Sequence, residues 1–174
     1  TISRSVGTVL NQAIFLGNKA LVYVIQGDYD QALMEFEQAT EINQKIGNRR
    51  SLGINYGNIG DVWFRKGDLD RSIDYLRQGI TLCDEFKSPA SGAFRGLLGL
   101  VLAEKGAFEE ATTVLKVGEP LIKAIPIEYI KFLCHKGTVE LISGNPRKAL
   151  KSLHRAEAYC EQLTLEEDSE SSLL

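Results

Sequence analysis

Few side chains in this sequence are of the kinds that carry out chemistry, and their spacing assembles no recognisable machinery. His135 and His154 are the only histidines. Neither has a Ser or Cys at a spacing that would make it the base of a nucleophile. Cys134 adjoins His135, but consecutive helical residues point about 100° apart, so adjacency makes no dyad. Cys83, Cys134 and Cys160 are odd in number, widely spaced and without a Cys-x-x-Cys pair. They indicate neither zinc nor redox work, and reduced, mostly buried thiols are expected. Glu109-Glu110 and Glu166-Glu167-Asp168 would offer carboxylates to a metal, yet acidic runs at helix starts and tails are ordinarily solvated or face the helix dipole. Gly57-Asn58-Ile59-Gly60 and Gly96-Leu97-Leu98-Gly99 fall mid-helix, where their spacing serves packing and cradles no phosphate. No catalytic residue, metal or cofactor is assigned.

What remains is recognition chemistry. Asn18, in Leu16-Gly17-Asn18, and Asn58, in Tyr56-Gly57-Asn58, occupy equivalent places. A carboxamide both donates and accepts, so an inward-facing pair suits the backbone of an extended peptide. The same residues would also serve as solvated helix positions or as links to a neighbouring helix, and the pattern stops at Leu97 and His135. The Tyr23 and Trp63 pair recurs in the same way and reads as packing between helices.

Composition narrows the partner. The chain has 174 residues, 44% hydrophobic and 25% charged, enough to bury a core. Its net charge is -3, but Glu166, Glu167, Asp168 and Glu170 lie at the end; with those four set aside, 20 basic groups face 19 acidic ones. A nearly neutral body has no basic footprint for phosphate, so neither nucleic acid nor an anionic membrane is expected as a partner. No apolar run approaches the roughly 20 residues of a membrane helix, and Thr1-Ile2-Ser3-Arg4-Ser5 lacks a signal-peptide layout. A cytoplasmic location is expected. The chain begins without Met, as a piece of something longer would.

The elements that position these residues follow from an internal period. A glycine just ahead of a helix start recurs at Gly27-Asp28-Tyr29, Gly67-Asp68-Leu69, Gly106-Ala107-Phe108 and Gly144-Asn145-Pro146, in steps of 40, 39 and 38 residues. Seven residues before each stands Ala20, Gly60, Gly99 or Gly137; five after stands Ala32, Ser72, Ala111 or Ala149. Small residues on both sides of a tight turn let two antiparallel helices approach closely. Phe36, Leu76, Leu115 and Leu153, then Ala39, Gly79, Gly118 and Ala156, continue an i, i+4, i+7 stripe of helical period. Asp28, Asp68 and Asn145 suit N-caps, while Pro146, Ser88-Pro89 and Pro126 suit helix starts. The expected helices run near 4 to 26, 29 to 47, 49 to 66, 69 to 86, 89 to 105, 108 to 125, 127 to 143 and 146 to 163.

These positions resemble the tetratricopeptide repeat family over about residues 10 to 163. The period is longer than the family's usual one of about 34 residues. The excess falls between Ala39 and Tyr56, between Gly79 and Arg95, and between Gly118 and Leu133, lengthening the helices there. HEAT-type repeats share the longer period, but the Gly-Asp-Tyr-type turn and the paired small residues favour the tetratricopeptide reading. The resemblance implies an all-α, right-handed superhelical solenoid of four antiparallel pairs (4–47, 49–86, 89–125 and 127–163) within 1–163. Residues 164–174 would form an acidic tail or the start of a further helix.

In such a solenoid the first helix of each pair lines the concave wall. That wall should carry Asn18, Leu21, Asn58, Asp61, Phe64 and Arg65, then Leu97, Leu100, Lys131 and His135. Family members that clamp acidic chaperone tails place cations around the Asn. Here Gly17, Gly57 and Gly96 stand instead, leaving Arg65 and Lys131 as inward cations, so an amphipathic helix or apolar peptide of a partner protein is expected. The long-period arrays that this chain resembles, in kinesin light chains and attached to bacterial signalling proteins, imply two roles. One is a protein-binding scaffold; the other is a regulatory or sensor region controlling an attached kinase, cyclase or transcription regulator. The first helix is apolar over Ile14, Phe15, Leu16, Leu21, Val22, Tyr23, Val24 and Ile25, and neither end is capped in polar residues, so self-association is also expected.

Overall fold

Each predicted turn glycine has a left-handed backbone: φ is 79° at Gly27, 82° at Gly67, 81° at Gly106 and 77° at Gly144. Only a residue without Cβ adopts this conformation cheaply. It lets the chain reverse, with the next amide reaching back to the ending helix, as Asp28 N does to Tyr23 O at 2.9 Å and Asp68 N to Trp63 O at 3.0 Å. Asp28 and Asp68 then cap the following helices, accepting from the amides of Gln31 and Arg71. The Asn145 carboxamide instead donates to the Ser143 carbonyl at 3.0 Å.

The computed structural model describes residues 2–171, with side chains from 7 to 164. Among the described residues the elements are α1 (Ile2–Gln26), α2 (Tyr29–Lys45), α3 (Arg49–Arg65), α4 (Leu69–Glu85), α5 (Ala90–Glu104), α6 (Phe108–Ile122), α7 (Pro126–Ile142) and α8 (Pro146–Ser171). They form antiparallel pairs in two compact units, Thr1–Ser88 and Pro89–Leu174. α8 runs on past the expected end near 163, and the expectation for residues 172–174 lies outside the described residues.

In the first unit, Ala20 and Ala32 are fully buried where α1 crosses α2. Ser72, the one polar member of the small-residue set, donates its hydroxyl to the Gly60 carbonyl at 2.8 Å, so its burial leaves no unmet group. Around these crossings Phe36, Ile59 and Val62 form a core flanked by Tyr23, Tyr56, Trp63 and Tyr75. Each such side chain contributes about 1.5–3 kcal/mol on burial. In the second unit, a Cβ on Gly99 would lie 2.7 Å from Leu115 Cγ, which shows how tightly α5 and α6 are seated. Leu153, expected to be a core flank, is 43% exposed.

Two expectations are overturned. Cys83 is buried, but Cys134 and Cys160 are exposed; Cys134 stands on the outer side of α7, off the stripe of Tyr129, Phe132, Leu133 and Gly137. Gly7–Gln26 of α1 is, by length and composition, long and apolar enough to cross a membrane. Gly, Ala and Asn between its larger residues disguise the run. Its inner stripe, Ala13, Leu16 and Ala20, is buried, while Phe15, Val22 and Ile25 on other faces are 64%, 52% and 86% exposed.

Candidate functional site

In the first unit, α1 and α3 present the expected recognition residues together. Asn18 and Leu21 from α1 and Asn58 from α3 line one half-open pocket of about 210 Å³, with Ala13, Ile14 and Ile54 as apolar walls. Spacing explains the convergence: 14, 17, 18 and 21 lie on one face of α1, as 51, 54, 55 and 58 do on α3. Gly17 keeps that face low, since a Cβ there would lie 3.7 Å from Asn55 Oδ1. The pocket also takes Asn43 from α2 and Asn55 from α3, which sequence reasoning missed. Both are buried, and Asn43 Oδ1 and Asn55 Nδ2 have no hydrogen-bond partner.

Further along α3, Asp61 and Phe64 are half-buried and Arg65 is exposed. Arg65 Nε bonds Asp61 Oδ2 at 3.0 Å, so this expected cation is largely balanced within its own helix. Burial acts against the Arg65 charge, but Asp61 outweighs it and raises the guanidinium pKa. Phe64 stands outside the pocket.

The remaining expected residues belong to the second unit. Leu97 and Leu100 are 7% and 8% exposed, so they are core residues and offer no contact surface. The reason is that α5 is enclosed on every side from Gly96 to Ala103, an uninterrupted buried run. Lys131 is exposed and paired with Glu128 at 2.8 Å, and His135 is half-buried. These residues do not assemble an open face.

The second unit has a different polar centre, also missed from sequence. Glu119 of α6 takes a hydrogen bond from Tyr129 of α7 at 2.9 Å and ion-pairs with Lys136 at 2.6 Å and Arg155 at 2.9 Å. Arg155 also bonds the Tyr129 hydroxyl. Beside this network a cavity of about 510 Å³ runs between α6 and α7, with Leu115 and Val139 on its wall and Lys116, Lys123 and Lys148 among its lining. Burial disfavours the Glu119 charge, yet bonds from Lys136, Tyr129 and Arg155 prevail and hold the carboxyl below its usual range. Burial, then the Glu119 carboxylate, pushes Tyr129 up to about 12.

The signs give a test. A depressed carboxyl contributes stability that is present above its unfolded value of about 4.3 and is lost as pH falls through the folded one. A raised phenol contributes stability that is present below about 10 and is lost as pH rises toward its folded value. Glu119→Gln should therefore flatten the acid limb of the urea midpoint against pH, and Tyr129→Phe the alkaline limb. Unchanged limbs would contradict this assignment.

Among the described residues no group of three His, Cys, Asp or Glu side chains is placed to hold a metal. Residues 11–85 match the tetratricopeptide repeat family model. No curated protein matches the sequence. Among solved structures, the chain is similar to BtubC (BKLC) from P. vanneervenii, with a TM-score of 0.71 and 14% identity, covering 87% of this chain and 64% of that one. It thus spans less than two thirds of the BtubC chain. It is also similar to a putative kinesin light chain of Podosopora anserina with nearly identical TPR-like repeats, at a TM-score of 0.65 in one crystal structure and 0.62 in another. Identity is 14% in both, and each covers 87% of this chain and 76% of that one. At such identity the likeness shows fold alone: an all-α tetratricopeptide solenoid. Over residues 11–85 the repeat positions, the helix pairs and the family match agree on tetratricopeptide repeats.

Proposed function

We propose that the chain is a protein-binding scaffold whose first unit takes a neutral segment of a partner protein, an extended peptide or an amphipathic helix, against α1 and α3. Tetratricopeptide repeats generally mediate protein–protein interactions. The observation that carries the finer reading is the convergence of Asn18, Leu21 and Asn58 on one pocket without a charged lining residue. With Arg65 matched to Asp61, this face lacks the cations that would hold an acidic tail. The exposed thiols of Cys134 and Cys160 suit a reducing, cytoplasmic setting. Asn18→Ala with Asn58→Ala should weaken capture of a partner by about ten-fold or more, as loss of about two hydrogen bonds implies. Unchanged affinity in a titration would remove both residues from the interface.

The apolar face of α1 supports self-association as well. Phe15, Val22 and Ile25 are too exposed to be core and too close together to be incidental. Small-angle scattering should show mass rising with concentration, and Phe15→Ser with Ile25→Ser should abolish the rise. A monomeric profile throughout would contradict it.

A further inference from the structure

We infer that the pocket between α1 and α3 is a specific receptor for an amide group of the ligand, with Asn43 and Asn55 as its recognition pair; this rests on the partner-binding reading above. The two side chains are 2% and 7% exposed. Folded proteins rarely bury polar groups without partners, because water is lost and nothing replaces it. Here two buried carboxamides from different helices open on the same pocket, and each has an unmet atom: Oδ1 of Asn43, an acceptor, and Nδ2 of Asn55, a donor. Neither atom ties the fold together.

Their chemistry defines the occupant. An acceptor and a donor that line one pocket are both satisfied by a group that has both. No Lys, Arg, His, Asp or Glu lines the pocket, so nothing there would neutralise an ion. Ala13, Ile14, Leu21 and Ile54 complete a dry wall. The volume of about 210 Å³ is several times the roughly 30 Å³ share of one liquid water, leaving room for an amide and its adjoining carbons. A neutral amide meets all three conditions. It is supplied either by an Asn or Gln side chain or by peptide backbone.

Titration of the ¹⁵N-labelled chain with acetamide, N-methylacetamide and sodium acetate, reading the side-chain NH₂ signals of Asn43 and Asn55, tests the site. At least one amide should give saturable shifts at both residues, and acetate none. A response to acetamide alone assigns a side-chain carboxamide; a response to N-methylacetamide assigns backbone. Asn43→Leu and Asn55→Leu, tested separately, should each abolish saturation at the remaining Asn while holding the unfolding midpoint at or above that of the parent. Gly17→Ala, whose Cβ meets Asn55 Oδ1 at an ordinary 3.7 Å, should fold and weaken the response, which keeps the test decisive if a leucine variant fails to fold. Absence of saturable shifts, or shifts that persist in the leucine variants, would overturn the inference and leave a water-filled pocket. Partner capture that still depends on Asn18 and Asn58 in that event would leave the broader reading standing.

Discussion

Replacing Gly79 with leucine should unfold the first unit, with a loss above about 3 kcal/mol, beyond the usual range for overpacking. A Cβ at Gly79 would lie 2.6 Å from Gly57 N, 2.9 Å from Gly53 O and 3.0 Å from Gly57 Cα. All three are backbone atoms of α3, so no rotamer change relieves the clash and the helices must part. Separating them opens the contacts of Leu76 and Ile80 on the same helix, both buried. Even Gly79→Ala should destabilise, although alanine is the better helix former by about 1 kcal/mol. Gly17→Ala is the matched control: its new Cβ meets only ordinary contact, so the propensity gain should raise the melting temperature. Opposite signs for the same chemical change are the expected result, and a Gly79→Ala variant as stable as the parent would refute the close-approach argument.

In the second unit the corresponding effect belongs to Phe132. Its ring is 1% exposed and lies between two glycines: a Cβ on Gly96 would be 2.7 Å from Cδ2, and one on Gly118 would be 3.1 Å from Cε2. Phe132→Ala should cost about 3–5 kcal/mol, the range for emptying an aromatic site in a core. The glycines add a sharper expectation. Gly96→Ala should be destabilising in the parent and much less so beside Phe132→Ala, giving a coupling of about 0.5–3 kcal/mol in a urea-denaturation cycle. Additive losses would mean that the ring does not set the need for glycine at 96.

These glycines also show what a sequence discloses. Turn positions were readable because Gly27, Gly67, Gly106 and Gly144 answer a local backbone demand that recurs with the period. The facing small residues were readable because each crossing needs room, and Ser72 was recognisable as one of them before its bond to Gly60 was known. Recognition residues were legible only in part. Asn18 and Asn58 repeat, so the period exposes them; Asn43 has no counterpart and reads as another polar residue near a helix end, although it is 2% exposed. Asn55 stands three residues before Asn58, and nothing local says that it turns inward. Glu119, Tyr129, Lys136 and Arg155 meet from three helices, and no periodic pattern encodes such a meeting. Leu97 and Leu100 were assigned to an open wall by analogy of position; the unbroken apolar run from Leu97 to Ala103 was the local sign that α5 is enclosed.

The way glycines are distributed also limits how such a chain can be remade by recombination. Gly79 answers Gly57 across the second pair, and Gly118 answers Gly92 across the third. The equivalent of Gly79 in the first pair is Ala39 and in the fourth is Ala156, each already buried against its own neighbour. A crossover at a helix-pair boundary carries both halves of each close approach together and preserves it. One inside a pair would set an alanine against a surface shaped for glycine, or the reverse, leaving a clash or a void. Duplication in whole pairs would therefore keep each close approach intact.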